Sequence, residues 1–429
     1  MSNTQKNSKK NIILIISDTL RKDHLGCYGN KNIYTPNIDM LASKSTVFDN
    51  FYSASFPTMP ARADLYTGKW TFTYIGWNPM PVSEVILPVL LKKSGYKTAA
   101  VVDTPFYIRN GFNYDRGFDY FIENYGQGAG RDAIFDRIYE EDYFAPKTFL
   151  KATQWLEQHY DKSIPFFLLV DTWDPHEPWD PPRWYVKQYR NNYKGEVIEP
   201  TYSKVSKKDA SWEKVEIAHD CYCGEISMVD MWLGHLMKKI EVMKLMEDTI
   251  IIFTSDHGYY FGEHQIFGKA IMNEPPLNSP ERSAWLRSPL YKEIINIPLL
   301  IYFPDERQKR VKELISYIDL MPTVLDLVGV EKPRSIHGYS FIEAINGSSS
   351  FKGRDFVVSS VPLYNPGDIT EIVDTFSRQV KEYIPSTITT PEWSLLYSAE
   401  EEDAELYNLR DDSKQEKNII SDYPDIANL

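Results

Sequence analysis

Cysteine is scarce in this sequence, which has three among 429 residues. They stand at Cys27, Cys221 and Cys223, and their spacing does not match the paired cysteines of a structural metal site or a disulfide framework. This usage argues against a disulfide-stabilised secreted domain and is typical of a reducing compartment.

Long apolar runs and an excess of positive charge are also missing. Residues 1–10 are polar and basic, and the apolar run that follows them is too short for a signal-peptide core or a membrane span. The chain has 60 acidic and 47 basic residues, a formal net charge of −13, and no basic stripe. These features predict a cytoplasmic protein with neither a nucleic-acid nor a membrane partner.

What the sequence does contain is a set of apolar segments that each end in an aspartate. In a parallel α/β sheet, ligands bind beyond the carboxyl ends of the strands, so residues distant in sequence meet there. We therefore expect Asp18, Asp171 and Asp256, with the adjacent His257, to share one pocket. The segments are residues 11–19 (NIILIISDT), 165–171 (PFFLLVD) and 249–256 (TIIIFTSD).

A second candidate feature is the start of a helix near Thr58. Proline is tolerated only in the first turn of a helix, so Pro60 places Thr58 at or just before the helix N-terminus. Thr58 is then either a capping residue or a nucleophile, with Arg62 one turn on and facing the same way. The segment alone leaves both interpretations open.

The segment Thr58-Met59-Pro60-Ala61-Arg62, followed by Thr67-Gly68, resembles the signature of the sulfatase family in the alkaline phosphatase superfamily. That signature is Cys or Ser, any residue, Pro, any residue and Arg, then Thr-Gly. The resemblance extends over nearly the whole chain, in segments that follow one another in the family's order. They are SDTLRKDHLGCYG from residue 17, DPHEPW from 174, TSDHGYYFGEHQIFGK from 254, YKEIINIPLLI from 291, SYIDLMPTVLDLVG from 316 and ELYNLRDD from 405.

This resemblance implies the fold and its division. The expected class is α/β, with a large mixed, mostly parallel sheet flanked by helices and a small C-terminal antiparallel sheet. Residues 1–345 are expected to form the catalytic domain and residues 346–429 a smaller α+β subdomain packed on it. The sequence adds a helix near residues 147–160, a helix at 217–245 and an exposed loop or lid at 184–214.

The resemblance also implies the chemistry of the site. One divalent cation would be held by Asp18, Thr58, Asp256 and His257. This donor set suits a cation between magnesium and zinc in softness, so manganese, zinc or magnesium is expected, and the imidazole ligand makes calcium less favourable than manganese or zinc. The residues that would hold the substrate oxygens and the leaving group are Arg62, Lys269 and His176. A second ion is conceivable, built from Asp171, Asp174, His176 or His264.

Two departures from the family pattern bear on the substrate. Sulfatases oxidise a Cys or Ser to formylglycine, and threonine cannot give that aldehyde because its β-carbon carries a methyl group. Asp103-Thr104-Pro105 stands where many sulfatases have a sulfate-contacting Lys-Trp-His. We therefore predict a hydrolase of small anionic esters, favouring phosphate mono- or diesters or phosphonate monoesters, with Thr58 as nucleophile. The alternatives are a sulfatase that works without formylglycine and an inactive sulfatase-like binding protein.

Overall fold

The computed structural model describes residues 9–106, 110–125, 137–271, 288–304, 306–362, 386–397 and 404–428. Its centre is an eight-stranded sheet in the order β12-β2-β11-β8-β1-β6-β4-β5. Neighbouring strands are parallel except β11, which runs antiparallel to both β2 and β8. These strands are β1 (Asn11–Ser17), β2 (Thr46–Phe48), β4 (Lys97–Val102), β5 (Tyr120–Glu123), β6 (Phe166–Thr172), β8 (Thr249–Thr254), β11 (Leu299–Tyr302) and β12 (Lys309–Val311).

The sheet is covered on both faces, which explains why its central strands are apolar throughout. In β1, Ile12 and Leu14 contribute to one hydrophobic core, whereas Ile13 and Ile15 contribute to the core on the opposite face. Successive side chains of a strand point to opposite faces, so only an uninterrupted apolar run can serve two cores. The mixed, mostly parallel sheet predicted from the sequence is confirmed.

Helices of very different lengths surround this sheet. The 31-residue helix α6 packs against α4 and α5. Both α4 and α6 begin a few residues before the helices predicted from their periodicity. The helices are α1 (Pro36–Ala42), α2 (Thr58–Thr67), α3 (Leu87–Lys93), α4 (Phe144–His159), α5 (Arg183–Val186), α6 (Trp212–Val242), α7 (Lys292–Ile295), α8 (Leu320–Leu327), α9 (Ile342–Ile345) and α10 (Pro424–Ala427).

Three smaller sheets complete the described architecture. The predicted C-terminal antiparallel sheet is present in the order β14-β15-β16-β17, and Val357 and Leu396 from it share a third apolar cluster with Tyr52 and Phe56 of the main body. The division at residues 345 and 346 stays a prediction. The remaining strands are β3 (Phe51–Tyr52), β7 (Ser203–Lys204), β9 (Tyr260–Phe261), β10 (Ile266–Gly268), β13 (Ile315–Ser316), β14 (Val357–Ser360), β15 (Ser386–Thr389), β16 (Trp393–Tyr397) and β17 (Glu405–Asn408).

The segment predicted as a loop or lid, residues 184–214, has more structure than its sequence indicated. It overlaps α5, and its strand β7 pairs with β10. Its periodicity was weak because these elements are only a few residues long. Within the described residues, no helix has both the length and the hydrophobicity that crossing a bilayer requires.

Candidate active site

Three aspartates converge at the carboxyl edge of the central sheet. Strand β1 lies between β6 and β8 and is parallel to both. Asp18 directly follows β1, Asp171 lies near the end of β6, and Asp256 follows β8 by one residue. All three are fully buried. The structure thus brings together the carboxylates that the sequence placed at one edge.

Arg62 joins the three carboxylates. Its Nη2 atom lies 2.7 Å from Asp171 Oδ1 and 3.1 Å from Asp18 Oδ2, and its Nη1 atom donates a hydrogen bond to Asp256 Oδ2. The guanidinium is fully buried, as an arginine can be only when its charge is paired. While all three carboxylates are ionised, the single positive charge of Arg62 leaves the cluster with an excess of negative charge.

Thr58 is the first residue of α2, and Pro57 occupies the N-cap position before it. The Thr58 hydroxyl lies 3.3 Å from His257 Nε2 and is almost completely buried. The side chain therefore faces the carboxylate cluster from the N-terminal end of a helix, where the helix dipole favours negative charge.

The loop before Thr58 is anchored by a carboxylate of the same helix. Asp64 Oδ2 accepts a hydrogen bond of 2.7 Å from the Ser55 amide, and Oδ1 accepts bonds from Ser55 Oγ (2.8 Å), the Thr71 amide (2.8 Å) and Thr71 Oγ1 (2.6 Å). Burial raises the pKa of Asp64 to about 7, although these four bonds act in the opposite direction. Asp64 thus fixes the entry to α2 and the position of Thr58.

We expect Asp64→Asn to destabilise the fold. The amide nitrogen cannot accept the Ser55 N–H, and a buried unsatisfied donor costs about 1–3 kcal/mol. Urea denaturation should show this as a lower midpoint at unchanged slope. Asp326→Asn is the matched control, since its carboxylate pairs with the exposed Lys332 at 2.7 Å and should change stability little. Equal midpoints for wild type and Asp64→Asn would contradict the anchoring role.

The ring of His257 is held with its Nε2 atom directed at the carboxylate cluster. Its Nδ1 atom lies 3.1 Å from the Gly258 carbonyl, so Nδ1–H donates there and the Nε2 lone pair faces the cluster. Nε2 lies 3.5 Å from Asp256 Oδ2 and 4.0 Å from Asp18 Oδ1. Burial lowers the pKa of His257 to about 4, which keeps the imidazole neutral near pH 7.

The two carboxylates beside His257 differ in their electrostatics. Burial, reinforced by the charge of Asp256, raises the pKa of Asp18 well above its usual range. Burial acts the same way on Asp256, but Arg62 and His257 outweigh it and hold that pKa below its usual value. Asp256 Oδ1 also accepts hydrogen bonds from the backbone amides of Thr19 (3.0 Å) and His257 (2.8 Å).

This cluster fits a divalent cation. The ligand atoms of Asp18, Asp256 and His257 all lie within 4.8 Å of one another. Asp18 Oδ2 is buried and receives no hydrogen bond of good geometry from the described residues, although Arg62 Nη2 lies near it. An unsatisfied carboxylate oxygen, excess negative charge and a neutral imidazole are features that an ion between magnesium and zinc in softness would satisfy.

The residues suggested for a second ion do not come together. Asp171 is engaged by Arg62, Asp174 Oδ2 accepts a hydrogen bond from the Ala145 amide, and His264 stacks on Tyr291. Among the described residues, no cluster of potential metal ligands includes any of Asp171, Asp174, His176 and His264. Each was predicted from its position after a strand or in a loop, which does not fix where the side chain points.

Loss of either strong ligand should abolish metal binding. Asp256→Asn and His257→Ala are each expected to lose stoichiometric Mn²⁺, because a carboxylate and a neutral imidazole are the donors this ion needs. Equilibrium dialysis against Mn²⁺ measures this directly. His264→Ala is the control, since that histidine pairs with Glu293 and belongs to no cluster of metal-ligating side chains among the described residues. Full Mn²⁺ occupancy in both ligand variants would remove Asp256 and His257 from the site.

His176 and Lys269, the two remaining predicted residues, meet at Glu177. Lys269 Nζ lies 3.1 Å from Glu177 Oε2, and His176 Nδ1 lies 3.2 Å from the same oxygen. The Lys269 charge also lowers the pKa of His257, so this group belongs to the same site. Sequence reasoning assigned no role to Glu177, although it directly follows His176.

The ring of His176 is held firmly. It stacks on Trp173 with ring centroids 3.6 Å apart, and Nδ1–H donates to the Glu177 carbonyl at 2.7 Å. Burial and the charge of Lys269 lower its pKa well below the usual value, which favours the neutral ring. Because Nδ1–H is engaged, the predicted donation from His176 to the substrate or leaving oxygen falls to Nε2, which requires a bound anion to raise that pKa.

Asp103 and Thr104 stand where many sulfatases have residues that contact the sulfate. Here both side chains form hydrogen bonds with neighbouring groups of the protein. Asp103 accepts hydrogen bonds from the Trp173 amide at 2.5 Å and from Thr148 Oγ1 at 2.9 Å. Thr104 Oγ1 donates to Asp171 Oδ1 at 3.2 Å. Neither residue supplies a cation to the site.

Two family models match the chain. The family model described as Sulfatase matches residues 10–330, and the one described as N-sulphoglucosamine sulphohydrolase, C-terminal, matches residues 280–428. The ulvan-active sulfatase of Formosa agariphila is 26% identical over 382 residues, covering 84% of this chain and 70% of that protein. The arylsulfatase of Clostridium perfringens is 24% identical over 478 residues, covering 96% and 90%.

Solved structures show the same fold. The phosphonate monoester hydrolase of Agrobacterium radiobacter superposes with a TM-score of 0.77 at 18% sequence identity, covering 98% of this chain and 93% of that chain. The match to the first family model extends over most of the sequence and includes every residue of the candidate site. The chain therefore belongs to the sulfatase family and is an ester hydrolase.

Proposed function

We propose that the protein is a metal-dependent hydrolase of phosphate esters or phosphonate monoesters that uses Thr58 as a covalent nucleophile. The observation that carries the proposal is the position of the Thr58 hydroxyl, buried at a helix N-terminus and 3.3 Å from His257 Nε2 in the Asp18, Asp256 and His257 cluster. A divalent ion bound by these residues would act as a Lewis acid and lower the pKa of a hydroxyl.

The reaction proceeds in two displacements. In the first, Thr58 Oγ1 attacks phosphorus and the bond to the leaving oxygen breaks. Thr58 loses its hydroxyl proton, and the leaving alcohol gains one proton, so the step is balanced. In the second, water attacks phosphorus, the bond to Oγ1 breaks, and the threonine hydroxyl is regenerated. Atoms and protons balance over the cycle, and no oxidant or reductant is needed.

Lys269 is the residue we assign to substrate binding. Its ammonium is 1% exposed and pairs with Glu177, so an incoming anionic oxygen would share this cation with the carboxylate. Buried cations bind anions strongly because little solvent screens them. His176, charged once an anion is bound, would donate to the substrate or to the leaving oxygen.

Arg62 has a second role besides the predicted contact with substrate oxygens. Its guanidinium pairs with Asp171 through both Nε (3.2 Å) and Nη2 (2.7 Å), a two-point contact that fixes the plane of the group. From there it reaches Asp18 and Asp256. Arg62 thereby orients the carboxylates that would hold the ion.

Phosphorus esters are preferred over sulfate esters for two reasons. Thr58 cannot form the aldehyde on which the family's sulfate chemistry depends. The Asp103-Thr104 positions add no cation, and Asp103 is a buried hydrogen-bond acceptor. The fold shared with the phosphonate monoester hydrolase is compatible with this choice. Sulfate ester hydrolysis is the second candidate, since the curated relatives are named as sulfatases.

The test is a substrate panel with the purified, manganese-loaded enzyme. An aryl phosphate, an aryl phosphate diester, an aryl phosphonate monoester and an aryl sulfate share one chromogenic leaving group, so kcat/KM compares the transferred groups alone. We expect the highest kcat/KM for a phosphorus substrate. A sulfate ester hydrolysed fastest, without conversion of Thr58, would overturn the preference.

A further inference from the structure

A second cluster of metal-ligating side chains lies where the segment after β1 meets helix α6. His24 Nε2 lies 2.9 Å from His219 Nε2, and Cys223 Sγ lies 3.9 Å from that same His219 atom. The ligand atoms of the three residues all lie within 4.8 Å of one another. In the described part of the chain, the other cluster of this kind is the one in the candidate active site.

The helix α6 and the hydrogen bonds around Tyr222 bring these side chains together. His219 and Cys223 are four residues apart in α6, so they lie on one face of the helix in successive turns. Tyr222, between them, donates a hydrogen bond to the Thr19 carbonyl at 2.9 Å and accepts one from the Arg21 amide at 2.8 Å. These bonds fix the segment that carries His24 against the helix.

The ring of His24 is oriented by a carboxylate. Its Nδ1 atom lies 2.9 Å from Asp23 Oδ1, while Asp23 Oδ2 is held by Arg21 Nη2 at 2.6 Å. Nδ1–H therefore donates to Asp23, and the lone pair of Nε2 points toward His219. A carboxylate behind a histidine is the usual outer contact of a metal ligand, where it sets the tautomer and raises the basicity of the ring.

The Nε2 atoms of His24 and His219 are so close that their protonation states depend on each other. Two imidazole lone pairs 2.9 Å apart repel each other unless a proton or a cation lies between them. Without an ion, His219 Nε2–H would donate to His24. With an ion, the proton of His219 moves to Nδ1, on a side chain that is 40% exposed, and the Cys223 thiol releases its proton to solvent.

We propose that His24, His219 and Cys223 form a second metal site, separate from the candidate active site, that binds a zinc-class transition metal. Two imidazoles and a thiolate are borderline-soft donors that favour zinc over magnesium, calcium or manganese. The exposed edge of His219 gives the ion a route in and leaves the fourth position to water. The ion cross-links the segment after Asp18 to α6.

The cysteines alone gave no indication of this site. Cys27, Cys221 and Cys223 do not have the spacing of cysteine ligands, which is why the sequence predicted no metal there. The informative spacing is between different residue types, His219 and Cys223, and only the folded chain adds His24. The site does not depend on the proposed reaction.

Cobalt substitution tests the proposal in the full-length protein kept under reductant. A thiolate ligand to Co²⁺ produces a near-ultraviolet charge-transfer absorption, and the Asp18, Asp256 and His257 cluster contains no sulfur to produce it. We expect this band in the wild type and its loss in Cys223→Ser. Cys27→Ser and Cys221→Ser are matched controls that should keep it, because neither thiol belongs to the cluster.

A second set of measurements keeps the proposal testable if Cys223→Ser folds poorly. His219→Ala changes a partly exposed side chain and should bind one zinc ion fewer than the wild type. Asp23→Asn should weaken zinc binding by about 10- to 100-fold, the usual effect of losing an outer-shell carboxylate. Absence of the thiolate band in cobalt-saturated wild type, or unchanged zinc stoichiometry in His219→Ala, would overturn the proposal.

Discussion

Thr58→Ala is expected to lower kcat/KM by several orders of magnitude while the protein stays folded. The methyl side chain of alanine cannot attack phosphorus, so only binding and electrostatics remain to accelerate the reaction. The geometry supports a large effect, because the Thr58 hydroxyl lies at the N-terminus of α2 and 3.3 Å from His257 Nε2. Steady-state kinetics on the preferred substrate of the panel gives the ratio.

Thr153→Ala is the control for this experiment. Its hydroxyl donates to the Leu150 carbonyl at 2.7 Å within α4, so the same chemical change is made in a helix away from the site. That variant should keep its turnover. Thr58→Cys should not produce a better enzyme when no maturation system is present, because an unmodified thiol lacks the aldehyde chemistry of the family.

Covalent catalysis also predicts a trapped intermediate. Acid quenching during turnover should leave the transferred group on the peptide that contains Thr58, where mass spectrometry detects it. A near-normal rate in Thr58→Ala, together with inversion at phosphorus in a single step, would make water the nucleophile. Thr58 would then be only the first residue of a helix.

Removal of the metal is expected to abolish turnover and leave the fold intact. Three of the candidate ligands, Asp18, Asp256 and His257, stand at the carboxyl edge of the sheet, outside the two apolar cores. When no ion is bound, Arg62 still pairs with Asp18, Asp171 and Asp256 and offsets the repulsion among them. The metal-free protein should therefore unfold cooperatively, at a lower temperature, because an ion that binds only the native state adds stability.

Chelation followed by dialysis, circular dichroism and a rate measurement checks this expectation. Added Mn²⁺ should restore turnover without restoring the zinc-class site of α6, since manganese binds thiolate weakly. Ca²⁺ should restore less, because His257 supplies nitrogen where calcium prefers oxygen. Full activity in a sample shown to be metal-free would contradict the assigned role of the cluster.

Much of the fold follows from short-range patterns in the sequence. The apolar run before Asp18 predicts a strand buried on both faces, and β1 packs into two cores as that pattern requires. Pro60 predicts the start of a helix, and α2 begins at Thr58. The short elements in residues 184–214 were missed, because α5 and β7 are too brief to show a period.

The candidate site was predictable only in part. Aspartates that end parallel strands must share an edge, so the meeting of Asp18, Asp171 and Asp256 follows from strand order and polarity. The pairing of Arg62 with all three does not follow, because a long side chain can point in several directions from one helix position. The contact between Lys269 and Glu177 likewise joins two loops whose paths no local pattern specifies.

By itself, the sequence determined the apolar strands of the central sheet, the edge of that sheet that carries the carboxylates, and that Thr58 stands where the family places its reactive residue. Only the tertiary structure decided which carboxylates pair with Arg62 and Lys269. It also decided that His24, His219 and Cys223 form a second cluster. His24 and His219 are 195 residues apart, yet their Nε2 atoms lie 2.9 Å from each other. Local pattern is set by backbone geometry and burial, whereas contacts over such separations depend on how whole elements pack, and packing is a property of the complete chain.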